Sequence, residues 1–232
     1  MSNLTVSSNQ MARHDLANGN WRNCGSSSSS TAYSGVGSST TDGNTYYRGL
    51  MNFDISSIPS TSTVSLAQLK VYVTGGSNET AKGYYRTRLI TKSWTSAKPS
   101  WGGGATSGNH TADYVGMEGV YLGITGSGYY RFDVTSIIQE WVKNPSKYYG
   151  IALTSFTEST NSSTGYVKDG YNKFASLKHI AGMGYSGGSA YYPVLAVEYT
   201  TPTIKFNGNQ VTSIKFNGNA VTSLIYNGTK LF

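Results

Sequence analysis

A chain of 232 residues with a net charge of +7 has room for one large sandwich and a small appendage, and needs no metal or disulfide to hold its core. Its single cysteine, Cys24, excludes an intrachain disulfide, and 38% apolar residues with 19 tyrosines exclude a disordered chain. The densest cationic patch is only Arg86 and Arg88 with Lys82 nearby, too little convergence for a nucleic-acid interface.

The opening Met1-Ser2-Asn3-Leu4 carries no apolar signal region, and no apolar run could span a bilayer. No membrane partner is expected. The chain is expected to stay in a cytoplasm, or to leave it by lysis or inside a larger particle.

In chain order, residues 19–45 read as loop: Ser26 to Ser30 are consecutive serines, and Gly35, Gly37 and Gly43 punctuate the rest. Strands are expected over 46–53, 66–73, 84–90, 120–124, 129–132, 149–155, 164–168 and 193–199. The alternation is clearest where Leu69, Val71 and Val73 interleave with Lys70 and Tyr72, and where Leu195, Val197 and Tyr199 oppose Glu198. One segment has a different period. Val134, Ile137, Ile138, Trp141 and Val142 fall on one stripe of a helix. Asp133 or Thr135 is the expected cap, and Asn144-Pro145 the stop. Trp141 is read as an inward plug of that helix and not as a ligand-stacking residue.

An internal echo links two strand ends. Phe53-Asp54-Ile55-Ser56-Ser57-Ile58 matches Phe132-Asp133-Val134-Thr135-Ser136-Ile137, and each Asp is expected to cap the turn that follows it. Two related half-units fit a jelly-roll β-sandwich. The fold class is thus all-β, a jelly roll with one short helix over residues 1–200, followed by a β-hairpin repeat over 201–232. In that tail, Ile204-Lys205-Phe206-Asn207-Gly208, Ile214-Lys215-Phe216-Asn217-Gly218 and Leu224-Ile225-Tyr226-Asn227-Gly228 recur every ten residues. Asn-Gly favours the two-residue type I′ hairpin turn, so three hairpins forming a small meander are expected. Thirty residues bury too little to stand alone. Phe206, Phe216, Tyr226 and Phe232 therefore need company, from the sandwich or from other copies of the chain; a homo-oligomer, a trimer in first place, or a docking surface is favoured.

Catalytic chemistry finds little support. The eleven carboxylates form no evident pair across a cleft, and Asp54 and Asp133 are accounted for as caps. His14, His110 and His179 lack zinc spacing, no nucleophile elbow is present, and no carboxylate cluster suggests calcium. No catalytic residue, metal or cofactor is assigned.

Tyrosine is the richest feature. Tyr-Tyr pairs begin at 46, 84, 129, 148 and 191, and three are followed by arginine. Strand neighbours point to opposite faces, so each pair is expected to place one ring in the core and one outside. Phe53 and Met51 then turn Tyr46 and Arg48 outward, Leu89 does so for Tyr84 and Arg86, and Phe132 for Tyr129 and Arg131. Such Tyr/Arg pairs can form a platform for sugar rings; they equally suit ladder stabilisation or subunit contacts. Trp21, in the loop-rich region, is the tryptophan free to be a contact residue.

Residues 46–200 resemble the DNRLRE domain, itself similar to carbohydrate-binding modules. The resemblance is carried in order by Tyr47-Arg48-Gly49-Leu50-Met51-Asn52-Phe53-Asp54-Ile55-Ser56-Ser57-Ile58-Pro59, Ala67 to Val73, Ser93-Trp94 with Ser100-Trp101, Phe132 to Thr135 through Glu140-Trp141-Val142, and Pro193 to Tyr199. It implies a non-enzymatic jelly roll in which Trp94 and Trp101 are structural. The tail resembles Asn-Gly repeats at the ends of phage structural proteins. That resemblance implies a virion surface protein (head decoration, tail fibre or baseplate module) whose partners are its own copies, other virion proteins and host-surface glycan. The alternative is a carbohydrate-binding module of a bacterial cell surface.

Overall fold

The computed structural model describes residues 1–15, 21–23, 33–39, 45–76, 83–91, 93–94, 118–155, 159–160, 167–168, 178–183 and 185–202, with six short pieces of the tail. In chain order the first strands are β1 (Ser2–Ser7), β2 (Gln10–Asp15), β3 (Trp21–Asn23), β4 (Tyr33–Ser39) and β5 (Thr45–Asn52). Next come β6 (Thr63–Gly76), β7 (Gly83–Leu89), β8 (Glu118–Ile124), β9 (Gly128–Asp133) and helix α1 (Thr135–Lys143). The sandwich ends with β10 (Ile151–Ser155), β11 (Ser159–Thr160), β12 (Val167–Lys168), β13 (Lys178–Ala181) and β14 (Val194–Thr200).

Two antiparallel sheets result. The first contains β1, β14, β6, β13 and β9. The second contains β2, β3, β5, β10, β7 and β8, and β4 joins the two by pairing with β13 on one side and β5 on the other. This is the expected all-β sandwich with one short helix. The loop reading of residues 19–45 is corrected: β3 and β4 are strands. Tyr33-Ser34-Gly35-Val36-Gly37-Ser38-Ser39 has no apolar alternation to betray it. Its backbone is instead held by ladders on both sides, Val36 opposite Lys178 and Gly37 opposite Tyr47.

The spine is β6. Along one edge it carries β14 and then β13, and along the other it carries β9, from Gln68 opposite Asp133 to Val73 opposite Gly128. Where β9 ends, the helix takes over that edge. Val134 N–H donates to the Ala67 carbonyl (2.9 Å), and Thr135 Oγ1 accepts from Ala67 N–H (2.9 Å). Gln139 accepts from Val64 N–H (2.8 Å) and donates to the Ser62 carbonyl (3.1 Å). Side chains thus replace a missing strand and keep the edge groups paired.

The helical stripe buries Ile137, Ile138, Trp141 and Val142 as its period requires, so Trp141 is the inward plug expected. The expected cap is corrected: Val134 occupies the N-cap position without a side-chain bond. Asp133 instead accepts from Thr135 N–H (2.9 Å), while Asp54 accepts from Ser56 N–H (3.0 Å) and Ser56 Oγ (2.6 Å). Both echoed aspartates therefore brace the turn that follows their strand.

The main core lies between the sheets and under the helix, with Met51, Phe53, Leu69, Val71, Phe132, Ile137, Ile151, Leu153 and Leu195 among its members. A second apolar layer of Ala12, Leu50, Ile90, Trp94 and Ala152 lies on the opposite side of the second sheet: Leu50 and Ala152 alternate with Met51 and with Ile151 and Leu153. Trp94 is buried there and its indole donates to the Tyr149 carbonyl (2.8 Å), the structural role expected of it. Trp101 lies outside the described residues.

In the tail, β15 (Lys205–Phe206) pairs with β16 (Asn209–Gln210), β17 (Lys215–Phe216) with β18 (Asn219–Ala220), and β19 (Ile225–Tyr226) with β20 (Thr229–Lys230). Each pair flanks one Asn-Gly dipeptide, and the expected turns themselves lie outside the described residues. The described residues form three separate two-stranded pairs and not a single meander.

Candidate functional site

The outward face of the first sheet carries a cluster of tyrosines. Lys70 and Tyr72 alternate with the buried Leu69, Val71 and Val73, and in register across from them stand Arg131 and Tyr129 of β9. Tyr72 and Tyr129 meet edge to face at 4.9 Å, and the Lys70 ammonium lies 5.1 Å from the Tyr129 ring centroid. That is cation–π range.

The segment before β14 folds back over this face and adds two more rings. Tyr191, ending a short 3-10 turn (Ser189–Tyr191), sits edge to face with Tyr72 at 4.6 Å. It lies parallel to Tyr129, with an interplanar angle of 3° at 6.1 Å. Tyr185 stands against Tyr191 at 5.5 Å. Two hydrogen bonds hold the segment in place. Tyr129 Oη donates to the Ala190 carbonyl (3.2 Å), and Tyr192 Oη to the Met183 carbonyl (2.5 Å). At Gly187 a Cβ would lie 2.7 Å from ring atoms of both Tyr185 and Tyr191, so the missing side chain is what lets these rings close.

From below, Tyr130 fixes the turn that presents Tyr129. Its hydroxyl donates to the Gly126 carbonyl (2.9 Å) and accepts from Gly126 N–H (3.2 Å). Burial pushes the Tyr130 phenol up, but these bonds, a further one with Thr125 and nearby Lys178 outweigh it and leave the phenol below its ordinary value.

The product is a half-wet aromatic platform. Tyr129 is 46% exposed, Arg131 is exposed, and Tyr72, Tyr185 and Tyr191 are half-buried. Parallel rings offer π-faces to the C–H face of a sugar, while phenols and cations at the margin supply hydrogen bonds to hydroxyls. Among the described residues no group of three or more His, Cys, Asp or Glu could hold a metal, and no helix is long and apolar enough to cross a membrane.

Of the expected site residues, the structure places Tyr129 and Arg131 in this platform. Arg48 is a correction: it was expected exposed and is 1% exposed. It shares Leu50's side of β5, away from the main core as predicted, but that side is buried too, with Leu50 and Ala152 fully buried on it. Arg86 is half-buried on β7, beside the buried Arg88. Tyr46, Tyr84 and Trp21 lie on β5, β7 and β3, and their side chains are outside the described residues, as are those of Phe206, Phe216 and Tyr226 on β15, β17 and β19. Phe232 is outside them altogether. Sequence reasoning missed Tyr72 as a partner although its outward alternation was visible. It missed Tyr185 because only the fold-back brings that ring to β6. Tyr191 had been noticed only as one of the paired tyrosines.

The chain is thus an all-β sandwich that displays an aromatic face on its first sheet. Residues 22–172, more than half of the chain, match carbohydrate-binding module family 96, and the chain belongs to that family. No curated protein matches the chain. The family match contains Tyr72 and Tyr129 and ends before Tyr185, Tyr191 and the C-terminal repeats. It agrees with the carbohydrate-binding resemblance and carries nothing about virions.

Proposed function

We propose that the chain is a non-catalytic carbohydrate-binding module whose binding surface is the platform of Tyr72, Tyr129, Tyr185 and Tyr191, flanked by Lys70 and Arg131. The observation that carries this is the parallel pair Tyr129 and Tyr191, braced edge-on by Tyr72, with Tyr129 exposed and Tyr191 half-buried. Stacked rings dominate sugar affinity because they bury large areas at small entropic cost, and the margin's hydrogen bonds set orientation. Affinity electrophoresis through gels containing a panel of neutral and acidic polysaccharides tests it. At least one polysaccharide should retard the chain, and a Tyr129→Ala/Tyr191→Ala double variant should run unretarded. A chain retarded by none, or a double variant retarded as before, overturns the reading.

A second reading concerns the tail, supported by its three separate hairpins, each only two residue pairs long. Such pieces need a partner to be stable. Phe206, Phe216, Tyr226 and Phe232 would supply the contacts that gather copies of the chain, and multiple platforms would convert weak binding into avidity. A trimer on a phage-like particle is one setting for this, attaching it to host-surface glycan. Light scattering of the full chain and of a chain lacking 203–232 decides: an oligomer that becomes a monomer on deletion supports assembly, and a monomeric full chain ends it.

A further inference from the structure

A second concavity lies away from the platform. A cleft of about 580 Å³ opens where the turn after β5 meets the exit of α1, within the size range of small-ligand sites. Phe53, Trp94, Trp141, Tyr148 and Tyr149 form its aromatic wall; the first four are buried and show only their edges, and Tyr149, 37% exposed, is the ring a ligand can cover. Their polar atoms are largely engaged elsewhere: the Trp94 indole N–H on the Tyr149 carbonyl, the Tyr148 hydroxyl on Glu140 (3.0 Å), and the Tyr149 hydroxyl on the Ser146 carbonyl (3.2 Å). The wall is therefore prearranged, and what it offers a ligand is mostly apolar surface.

Asn9, Asn52 and Asp54 also line the cleft. Amides donate and accept, and a carboxylate accepts. Bonds from Ser56 Oγ and Ser56 N–H hold the Asp54 carboxyl below its ordinary value against the weak opposing effect of burial, so it is ionised at neutral pH. Among the described residues lining the cleft none is Lys or Arg. Lys147 lies close by, with its ammonium over the Tyr148 ring at 5.3 Å, and is not part of the lining.

We infer that this cleft is a second saccharide site, one that takes a neutral sugar with one apolar ring face and vicinal hydroxyls. Tyr149 packs on the C–H face, and the amides and carboxylate receive the hydroxyls. An anionic sugar would face the Asp54 charge with no cation in the lining to offset it; because that carboxylate is solvent-exposed, the cleft disfavours such a sugar without barring it. The platform, flanked by Lys70 and Arg131, has no such bias.

The test is a two-dimensional NMR titration of the full chain with neutral β-linked tetrasaccharides of glucose, mannose, galactose and xylose, and with a uronic-acid tetrasaccharide. Saturable shifts of the Trp94 indole N–H and of the Asn52 and Asp54 amides with at least one neutral sugar, and weaker binding of the uronate, support the site. Two variants guard against misfolding: Tyr149→Ala trims the exposed wall and Ser60→Trp fills the rim. Each should weaken those shifts by about tenfold. A Tyr129→Ala/Tyr191→Ala chain should keep them, which separates this site from the platform. If the three cleft signals stay fixed with every neutral sugar, or follow the uronate equally, or are unchanged in both cleft variants, the inference is overturned, whether or not the platform binds.

Discussion

The two sheets carry similar residues on their outward faces and treat them differently. On the first sheet, Lys70, Tyr72, Tyr129 and Arg131 alternate out of the core and meet water. On the second, Arg48 and Arg88 also point away from the main core, yet they are 1% and 4% exposed. On this face Leu50 and Ala152 are fully buried as well and cluster with Ile90 and Trp94, which follow β7. Period-two alternation tells which side of a sheet a residue takes. Whether that side is wet depends on what the rest of the chain lays over it.

The largest expected effect breaks this comparison most directly. Arg48→Ala removes a buried side chain with its stem packing and its bonds, and should cost about 2–3 kcal/mol of stability. Arg131→Ala, on the open face, should cost less than about 0.5 kcal/mol. Urea unfolding midpoints read both. Equal costs would mean that the two faces are not different environments.

For binding the order reverses. Tyr72→Ala removes the ring that braces Tyr129 and Tyr191, and should weaken platform binding by about tenfold or more. Arg48→Ala, kept below its unfolding transition, should bind as the unaltered chain does. Isothermal titration with whichever polysaccharide retards the chain measures both. A sugar affinity that falls with Arg48 and not with Tyr72 would move the site to the second sheet.

Much of this was legible from residues alone. The helix followed from Val134, Ile137, Ile138, Trp141 and Val142, because a buried stripe has a fixed period. The echoed Asp54 and Asp133 turns followed because a short carboxylate reaches an N–H two residues on. Strand β4 did not follow, since a Gly/Ser strand held by ladders on both edges needs no apolar pattern. Half of the platform was also hidden. Tyr129 and Arg131 were found by alternation within one strand, while Tyr185 and Tyr191 reach it through a non-local fold-back that no local period encodes.

That fold-back can be probed at two adjacent glycines. Gly187→Ala drives a methyl to 2.7 Å from the Tyr185 and Tyr191 rings, so the rings must part. Platform affinity should fall several-fold, with about 1 kcal/mol lost in stability. Gly188 has φ +84 and open space around its Cβ position. Gly188→Ala should cost about 1 kcal/mol of backbone strain while leaving affinity closer to that of the unaltered chain. Equal affinity losses would mean that the segment's backbone, and not the ring packing, sets the platform.

The smallest effect lies at the first echoed turn, beside the cleft. Asp54 is held below the ordinary carboxylate value of 3.8, chiefly by the Ser56 hydroxyl and next by the Ser56 N–H. Its folded-state value is depressed, so its contribution to the turn is present above the unfolded value and is lost as pH falls through the folded one. Ser56→Ala deletes the larger of the two causes and leaves the backbone bond. The Asp54 carboxyl should then titrate at higher pH, nearer the ordinary value, in a carbon-detected NMR titration. Because the side chain is fully exposed, solvent screens the consequence and neutral-pH stability should scarcely move. An unshifted Asp54 would mean that the N–H alone braces this turn, as the Thr135 N–H does for Asp133 in the second copy.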